Sequence, residues 1–245
     1  MVSKHQKVFI LEGNIGAGKS TFLSLIKELL PVQIVYEPVE KWQNVGAGEN
    51  VLEKFYQDTQ RWAYTFQSYA FITRVIEQKE YAKINPCDVQ VLERSVYSDR
   101  YCFAKNCYEM GTMTPLEWSL YTQWFEWLVG NYVPRPDGFI YLQTDPNVCY
   151  KRLTKRARSE EVGVSFDYLR FLHEKHEAWL INKQDILPAL HDVPVLVLNC
   201  NEDFENNPEV MARFRTQIMD FITQHNQKND PSFVSVQKSE RVFER

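Results

Sequence analysis

The run Gly13-Asn14-Ile15-Gly16-Ala17-Gly18-Lys19-Ser20-Thr21 carries glycines, a lysine and two hydroxyls at the spacing G-x-x-x-x-G-K-[ST]. That spacing suits the cradling of phosphate groups. The glycines let the backbone curl until its N–H groups point inward at phosphate oxygens. Lys19 adds a charge for the terminal phosphates, and the Ser20 hydroxyl can ligate Mg²⁺. The apolar run Val8-Phe9-Ile10-Leu11 precedes the loop, and Thr21-Phe22-Leu23-Ser24-Leu25-Ile26 follows it as a helix. The N-terminal dipole of that helix also favours phosphate. The chain is therefore expected to bind ATP or another nucleoside triphosphate.

Three further groups of residues can do chemistry. Glu37 and the pair Glu93-Arg94 close two β-type runs. In open α/β sheets the carboxyl ends of strands gather at one crevice. A carboxylate there can take a proton from an attacking hydroxyl or hold Mg²⁺, and a guanidinium can neutralise charge on the transferred group. The basic run Lys151 to Arg158, followed by Glu160-Glu161, places Arg152 and Arg156 on one helix face. It fits a lid that delivers arginines to developing charge, as well as a solvated helix end. Trp42, Tyr56, Phe66, Gln67, Arg74, Asp99 and Phe103 combine flat rings with donors and acceptors suited to a nucleobase. From spacing alone an aromatic stripe is more often core, and Arg with Asp is often just an ion pair. Asn182-Lys183-Gln184-Asp185 matches the guanine-reading N-K-x-D, but it follows the helical pattern of His173–Ile181 and no D-x-x-G occurs, so a GTPase is rejected.

The elements that must position these groups follow from periodicity. Five β-type runs, Lys7–Glu12, Gln33–Glu37, Val89–Glu93, Gly138–Leu142 and Pro194–Leu198, alternate with helical segments. Such alternation implies βαβ units and a parallel sheet covered on both faces. Val51–Tyr81 reads as one long helix. Thr114-Pro115-Leu116-Glu117 reads as an N-cap, first-turn proline and capping-box glutamate opening a helix to about Val129. A last helix is expected over Pro208–Gln224, and 226–245 reads as a polar, mobile tail after a single domain, 1–225.

With 245 residues, 44% of them hydrophobic, the chain has enough apolar material for one sizeable α/β core. Its net charge of −4 argues against a general nucleic-acid binder. The five cysteines show no C-x-x-C pair and read as reduced thiols. No run reaches transmembrane length, and Met1–Lys7 is too short and polar for a secretory signal. These features predict a cytoplasmic protein without membrane or nucleic-acid partners; nucleus and mitochondrion stay open.

Gly13–Thr21, Glu37-Pro38-Val39 with Trp42, Thr65-Phe66-Gln67-Ser68-Tyr69, Glu93-Arg94-Ser95-Val96-Tyr97-Ser98-Asp99-Arg100-Tyr101 and Arg156-Ala157-Arg158-Ser159-Glu160-Glu161 together resemble the deoxyribonucleoside kinases, in their deoxycytidine and deoxyguanosine kinase branch. The likeness covers Lys7 to Phe204. It implies that Glu37 is the base for the 5′-hydroxyl and that Arg94 steadies it. It puts Glu93 near the phosphates and Mg²⁺, although the base role is sometimes given to this residue in the family. Tyr56 and Glu161 would hold the sugar 3′-hydroxyl. Gln67, Arg74 and Asp99 would read the base edge, with Phe103 and Trp42 packing around it. Arg152, Arg156 and Arg158 would form the lid and with Ala157 would bind ATP, and Glu202-Asp203-Phe204 would lie beside the donor's base. The resemblance also implies a homodimer, for which the aromatic helix Thr114–Val129 is a suitable surface.

The expected fold is a P-loop-type five-stranded parallel sheet with helices on both faces and a helical lid. The expected reaction is phosphoryl transfer from ATP to a deoxynucleoside 5′-hydroxyl. Asp99 can accept from an exocyclic amine and Arg74 can donate to a ring nitrogen or carbonyl, which favours cytosine or purine bases over thymine. The alternatives are a nucleoside monophosphate kinase and a non-catalytic nucleotide-binding protein.

Overall fold

The first strand, β1 (Lys7–Glu12), is buried along its whole length. An apolar run with no polar alternation has to be covered on both faces, which places it inside a parallel sheet. A computed structural model describes residues 6–84, 87–158, 161 and 163–227. In it β1 lies at the centre of a five-stranded sheet in the order β2-β3-β1-β4-β5, all parallel. The others are β2 (Gln33–Val35), β3 (Val89–Glu93), β4 (Gly138–Gln143) and β5 (Val195–Asn199). β2 is shorter than its apolar pattern suggested, because the chain turns away before Glu37. The buried Lys7 is neutralised by Asp137, with Nζ 2.9 Å from Oδ1.

The helices are α1 (Lys19–Leu29), α2 (Val39–Gln43), α3 (Val51–Gln57), α4 (Thr59–Ile84), α5 (Val96–Ser98), α6 (Lys105–Glu109), α7 (Pro115–Tyr132), α8 (Pro146–Arg156), α9 (Phe166–His176) and α10 (Pro208–Gln227). The chain divides into two compact units, Met1–Asp203 and Phe204–Arg245. The sheet and helices α1 to α9 belong to the first. In the second, α10 buries Val210, Phe214 and Ile218. Most of the tail expected over 226–245 falls outside the described residues.

The single helix expected over Val51–Tyr81 is two helices. Asp58 leaves the helical region (φ −141°, ψ 77°) and caps α4. Its side chain accepts from the Arg61 N–H at 3.1 Å, and its carbonyl accepts from Trp62 at 3.1 Å. The aromatic periodicity runs through the break, but an Asp–Thr pair competes with the helix by capping. The N-terminus of α7 follows its sequence signal. Thr114 Oγ1 accepts from the Glu117 N–H at 3.2 Å, and Glu117 Oε2 accepts from the Thr114 N–H at 2.8 Å. α7 packs on α4 through Phe71 against Tyr121 and Phe125.

Replacing Thr114 by Ala removes this cap. The expected loss is about 1 kcal/mol of unfolding free energy, read as a lower urea midpoint with an unchanged slope.

Candidate active site

β1 delivers the chain directly into the glycine loop. Gly16 has φ 77°, and a Cβ there would meet the Cys149 carbonyl oxygen at 2.4 Å, so the loop lies tightly against the start of α8. Gly18 caps α1 in the left-handed region (φ 93°) with no side-chain cap bond. The first-turn N–H groups of α1 are thus left for an anion. Asn14 fixes the loop from inside, donating from Nδ2 to the Leu169 carbonyl at 2.8 Å and accepting at Oδ1 from the Ile15 N–H. The buried Lys19 ammonium donates to the carbonyls of Gly13 (3.0 Å) and Asn14 (2.8 Å). Burial and then the nearby Arg94 charge pull its pKa down to about 7, against the opposing pull of Glu37, Glu93 and Glu12.

The neighbouring strand ends add the acidic and basic groups. Ser20 Oγ donates to Glu93 Oε1 at 2.8 Å, and Glu93 Oε2 accepts from the Glu37 N–H at 3.4 Å. Arg94 follows β3 in the left-handed region (φ 60°), with its N–H bonded to the Leu11 carbonyl at 2.9 Å. That conformation is uncommon for a long side chain. Its Nη1 donates to both oxygens of Glu37 at 2.9 Å, and Arg74 Nη2 donates to Glu37 Oε1 at 2.9 Å. Burial pushes the Glu37 pKa up, but Arg94, Arg74 and Lys19 outweigh it and hold it at about 2. Glu37 is therefore an anion at neutral pH with one carboxylate oxygen less occupied than the other.

Asp99 opens a wide π-helical turn, Asp99–Ala104, and takes a two-bond fork from Arg74 at 2.9 and 3.1 Å. Burial raises its pKa, with the Arg74 charge and bonds opposing. The Phe103 ring lies under the Arg94 guanidinium at 4.9 Å. Trp42 meets Phe66 edge-on at 5.5 Å, and Phe66 stacks on Phe55 at 4.8 Å. The buried Gln67 Nε2 has no hydrogen-bond partner among the described residues. On the lid side, Arg156 Nη2 grips both oxygens of Glu161 at 2.5 and 2.6 Å.

Most of these groups line one cleft of about 780 Å³. It holds Ile15, Gly16, Gly18, Lys19, Ser20 and Thr21 on the loop side, then Glu37, Glu93 and Arg94. Trp42, Tyr56, Phe66, Gln67, Asp99 and Phe103 form its aromatic end, and Arg156, Arg158 and Glu161 lie along its lid edge. Several expected site residues stand outside the lining. Arg74 lies behind Glu37 and Asp99. Gly13, Asn14 and Ala17 contribute to the loop from within. Ala157 ends α8 with φ 50°. Arg152 ties the loop to the segment after β5, donating to the carbonyls of Ala17 (3.4 Å) and Glu202 (2.8 Å), and Asp203 follows Glu202 there. Phe204 belongs to the second unit, where it packs on Phe214. The N-K-x-D tetrapeptide follows the helical turn Glu177–Ile181, and Lys183 donates to the Val193 carbonyl.

Sequence reasoning missed two groups. Tyr168 also lines the cleft, with a buried hydroxyl lacking a partner among the described residues. Its only signal was its place one turn into a helix beyond the lid. Glu12 is wholly buried at the end of β1 and accepts from Ser95 Oγ at 2.6 Å. Burial pushes its pKa up to about 7 against the Ser95 bond and the Arg94 charge. Its signal was a carboxylate directly ahead of the glycine loop.

The chain is similar to known proteins along most of its length. The deoxynucleoside kinase family model matches residues 9–223. Deoxycytidine kinase 2 of Gallus gallus is 40% identical over 243 residues, covering 90% of this chain and 92% of that protein. Deoxycytidine kinase of Homo sapiens is 40% identical over 229 residues, covering 84% and 88%. The mitochondrial deoxyguanosine kinase of Xenopus laevis is 37% identical over 240 residues, covering 86% and 88%.

The depressed Glu37 pKa has a consequence for stability. A lowered carboxylate pKa stabilises the fold above the ordinary value near 4.5, and that contribution is lost as pH falls toward about 2. Urea midpoints measured down the acid range should fall less steeply in Glu37→Gln than in the parent. An equal slope in the two proteins would contradict the ion cluster.

Proposed function

The chain belongs to the deoxynucleoside kinase family, and from that premise we propose how its residues divide the work. The enzyme transfers a phosphoryl group from a nucleoside triphosphate to the 5′-hydroxyl of a deoxynucleoside. One observation carries the residue assignment: an ionised, arginine-clamped Glu37 stands beside the phosphate loop in the cleft that also contains the aromatic end. Glu37 takes the 5′-hydroxyl proton. Arg94 holds its carboxylate and neutralises developing charge. Catalysis is mainly positioning and electrostatic stabilisation.

Tyr56 and Glu161 hold the 3′-hydroxyl. Gln67 and Asp99 read the base, with Trp42, Phe66 and Phe103 around it. The Asp99 carboxylate suits the amine of cytosine or of a purine, and relatives in both classes bear deoxycytidine and deoxyguanosine kinase names. ATP is the donor, with its phosphates on Gly13–Thr21, Arg152, Arg156, Ala157 and Arg158 around them, and Glu202 and Asp203 beside its base. Ser20 Oγ and Glu93 Oε1 converge at 2.8 Å where α1 begins, a donor pair that fits Mg²⁺. Magnesium usually takes only one or two protein oxygens and leaves the rest of its shell to phosphates and water. When bound it supplies charge neutralisation to the phosphates.

A monophosphate kinase would need cations at the acceptor site. Here the acceptor end of the cleft presents Glu37, which repels a phosphate. A homodimer through α7 and α4 is part of the proposal. It is supported by the exposed Leu116, Leu120, Trp124 and Trp127 on α7 and Ile72 and Ile76 on the neighbouring α4. Residues 1–225 are proposed to act as one kinase domain. No described helix is long and apolar enough to cross a membrane. The five free thiols support a reducing compartment such as the cytoplasm.

The test of the reading is a phosphorylation panel with ATP and Mg²⁺. Deoxycytidine or purine deoxynucleosides should turn over, with little reaction from thymidine or from deoxynucleoside monophosphates. Turnover confined to monophosphates would overturn the acceptor assignment. A second measurement concerns Lys19, whose pKa near 7 leaves it largely neutral above that pH. Triphosphate binding should then draw in a proton. Calorimetry in two buffers of different ionisation enthalpy, somewhat above neutral pH, should register that uptake for the parent enzyme.

A further inference from the structure

Three buried polar atoms behind the Glu37 cluster have no hydrogen-bond partner among the described residues: Glu12 Oε2, Arg94 Nε and His176 Nε2. Glu12 ends the central strand β1. On one flank the Arg94 N–H continues the ladder to the Leu11 carbonyl, and on the other Glu12 is in register with Tyr141 of β4. Register partners on neighbouring parallel strands turn their side chains to the same face. The His176 ring, at the end of α9, lies parallel to the Tyr141 ring at 5.9 Å and so covers that face. The charge of Arg94 acts on Glu12 and on His176 alike.

The three atoms are chemically complementary. His176 Nδ1 lies 2.7 Å from the Leu172 carbonyl oxygen, which can only accept, so Nδ1 carries the proton. Burial pulls the His176 pKa down to about 3, so the ring is neutral and Nε2 is a bare acceptor. Glu12 Oε1 takes the Ser95 hydroxyl at 2.6 Å, which leaves Oε2 as a second acceptor. Arg94 Nη1 is engaged by Glu37, and the Nε–H is a donor in want of an oxygen. The Arg94 side chain is 9% exposed, and Glu12 and His176 are wholly buried. Leaving such atoms unpaired is costly. A buried water typically makes about three hydrogen bonds to polar groups of this kind, and it can donate twice and accept.

We propose that an ordered water sits between the ends of β1 and β3 and α9, donating to Glu12 Oε2 and His176 Nε2 and accepting from Arg94 Nε, and that His176 is thereby a positioning residue for Arg94. The water site does not depend on the kinase reading above; the task given to His176 rests on it. Arg94 Nη1 meets the Glu37 carboxylate, and the water holds another edge of the same rigid plane. The guanidinium is then fixed from two sides while phosphoryl transfer proceeds.

The test is a crystal structure of the full chain at a resolution that shows ordered water, together with steady-state kinetics of parent, His176→Phe and His176→Gln. The acceptor is the best deoxynucleoside, with ATP and Mg²⁺. One water within hydrogen-bond distance of all three atoms is expected in the parent. Phenylalanine fills the place of the ring without an acceptor, so kcat should fall roughly 10- to 100-fold, with KM for the deoxynucleoside little changed. Glutamine offers an oxygen near the Nε2 position, so His176→Gln should recover most of kcat, a rescue that packing alone would not give. Should His176→Phe fail to fold, His176→Met, which adapts to irregular space and is only a weak acceptor, takes its place in the comparison. A parent structure without that water, or a parent-like kcat in the apolar variant, overturns the proposal. Failure of the kinase reading would appear separately, as a parent enzyme that turns over no deoxynucleoside, and the crystal structure would still decide the water site.

Discussion

A carboxylate buried between two guanidiniums is costly to assemble. Each ion loses water, and the attraction compensates only when geometry is good and every remaining lone pair is used. The Glu37 cluster comes close to that condition through four segments, with Glu37 Oε2 and Arg94 Nε short of partners among the described residues. Glu37 comes from the turn after β2, Arg94 and the Glu93 carbonyl from the end of β3, Arg74 from the middle of α4, and Asp99 from the π-helical turn beyond α5. The left-handed backbone of Arg94 is part of the cost. It turns the guanidinium back toward Glu37 while the Arg94 N–H extends the β1–β3 ladder at Leu11. The cluster constrains the surrounding architecture, since a shift of any one segment would leave a buried charge unpaired.

The sheet order makes this meeting possible. With β1 central, β3 on one side and β4 on the other, the phosphate loop emerges beside the acidic strand end on one flank and beside α8 on the other. The glycine loop, the Glu37 carboxylate and the Arg156 and Arg158 side chains therefore converge on one cleft without a long excursion of the chain. The aromatic end is supplied separately by α2, α3 and α4, whose rings pack on one another and form one wall of the cleft.

Local rules carried far in this sequence where the cause is local. The glycine loop, the apolar strands and the Thr114 capping box are each specified within a few residues, and each is present in the structure. The Asp58 cap is equally local, yet it was masked by an aromatic periodicity that runs on through the break. Other features are tertiary. By residue type Arg74 groups with Gln67 and the cleft's rings as suited to a nucleobase, but its length and charge draw it behind them to Glu37 and Asp99. Tyr168 faces the cleft because α9 is docked through Leu169 onto Asn14, a contact 155 residues apart in sequence. Glu12 is charged by type and buried by topology, and only the packed sheet shows which property dominates.

Lys19 is held by the carbonyls of its own loop. These bonds hold the loop curled from within the protein, together with Asn14 anchored on α9. A loop held in this way has little backbone freedom to lose when a triphosphate arrives, so binding exchanges partners around the Lys19 nitrogen and does not have to order a segment. The entropic cost has already been met during folding, and affinity for the nucleotide depends correspondingly more on contacts and less on disorder in the free enzyme.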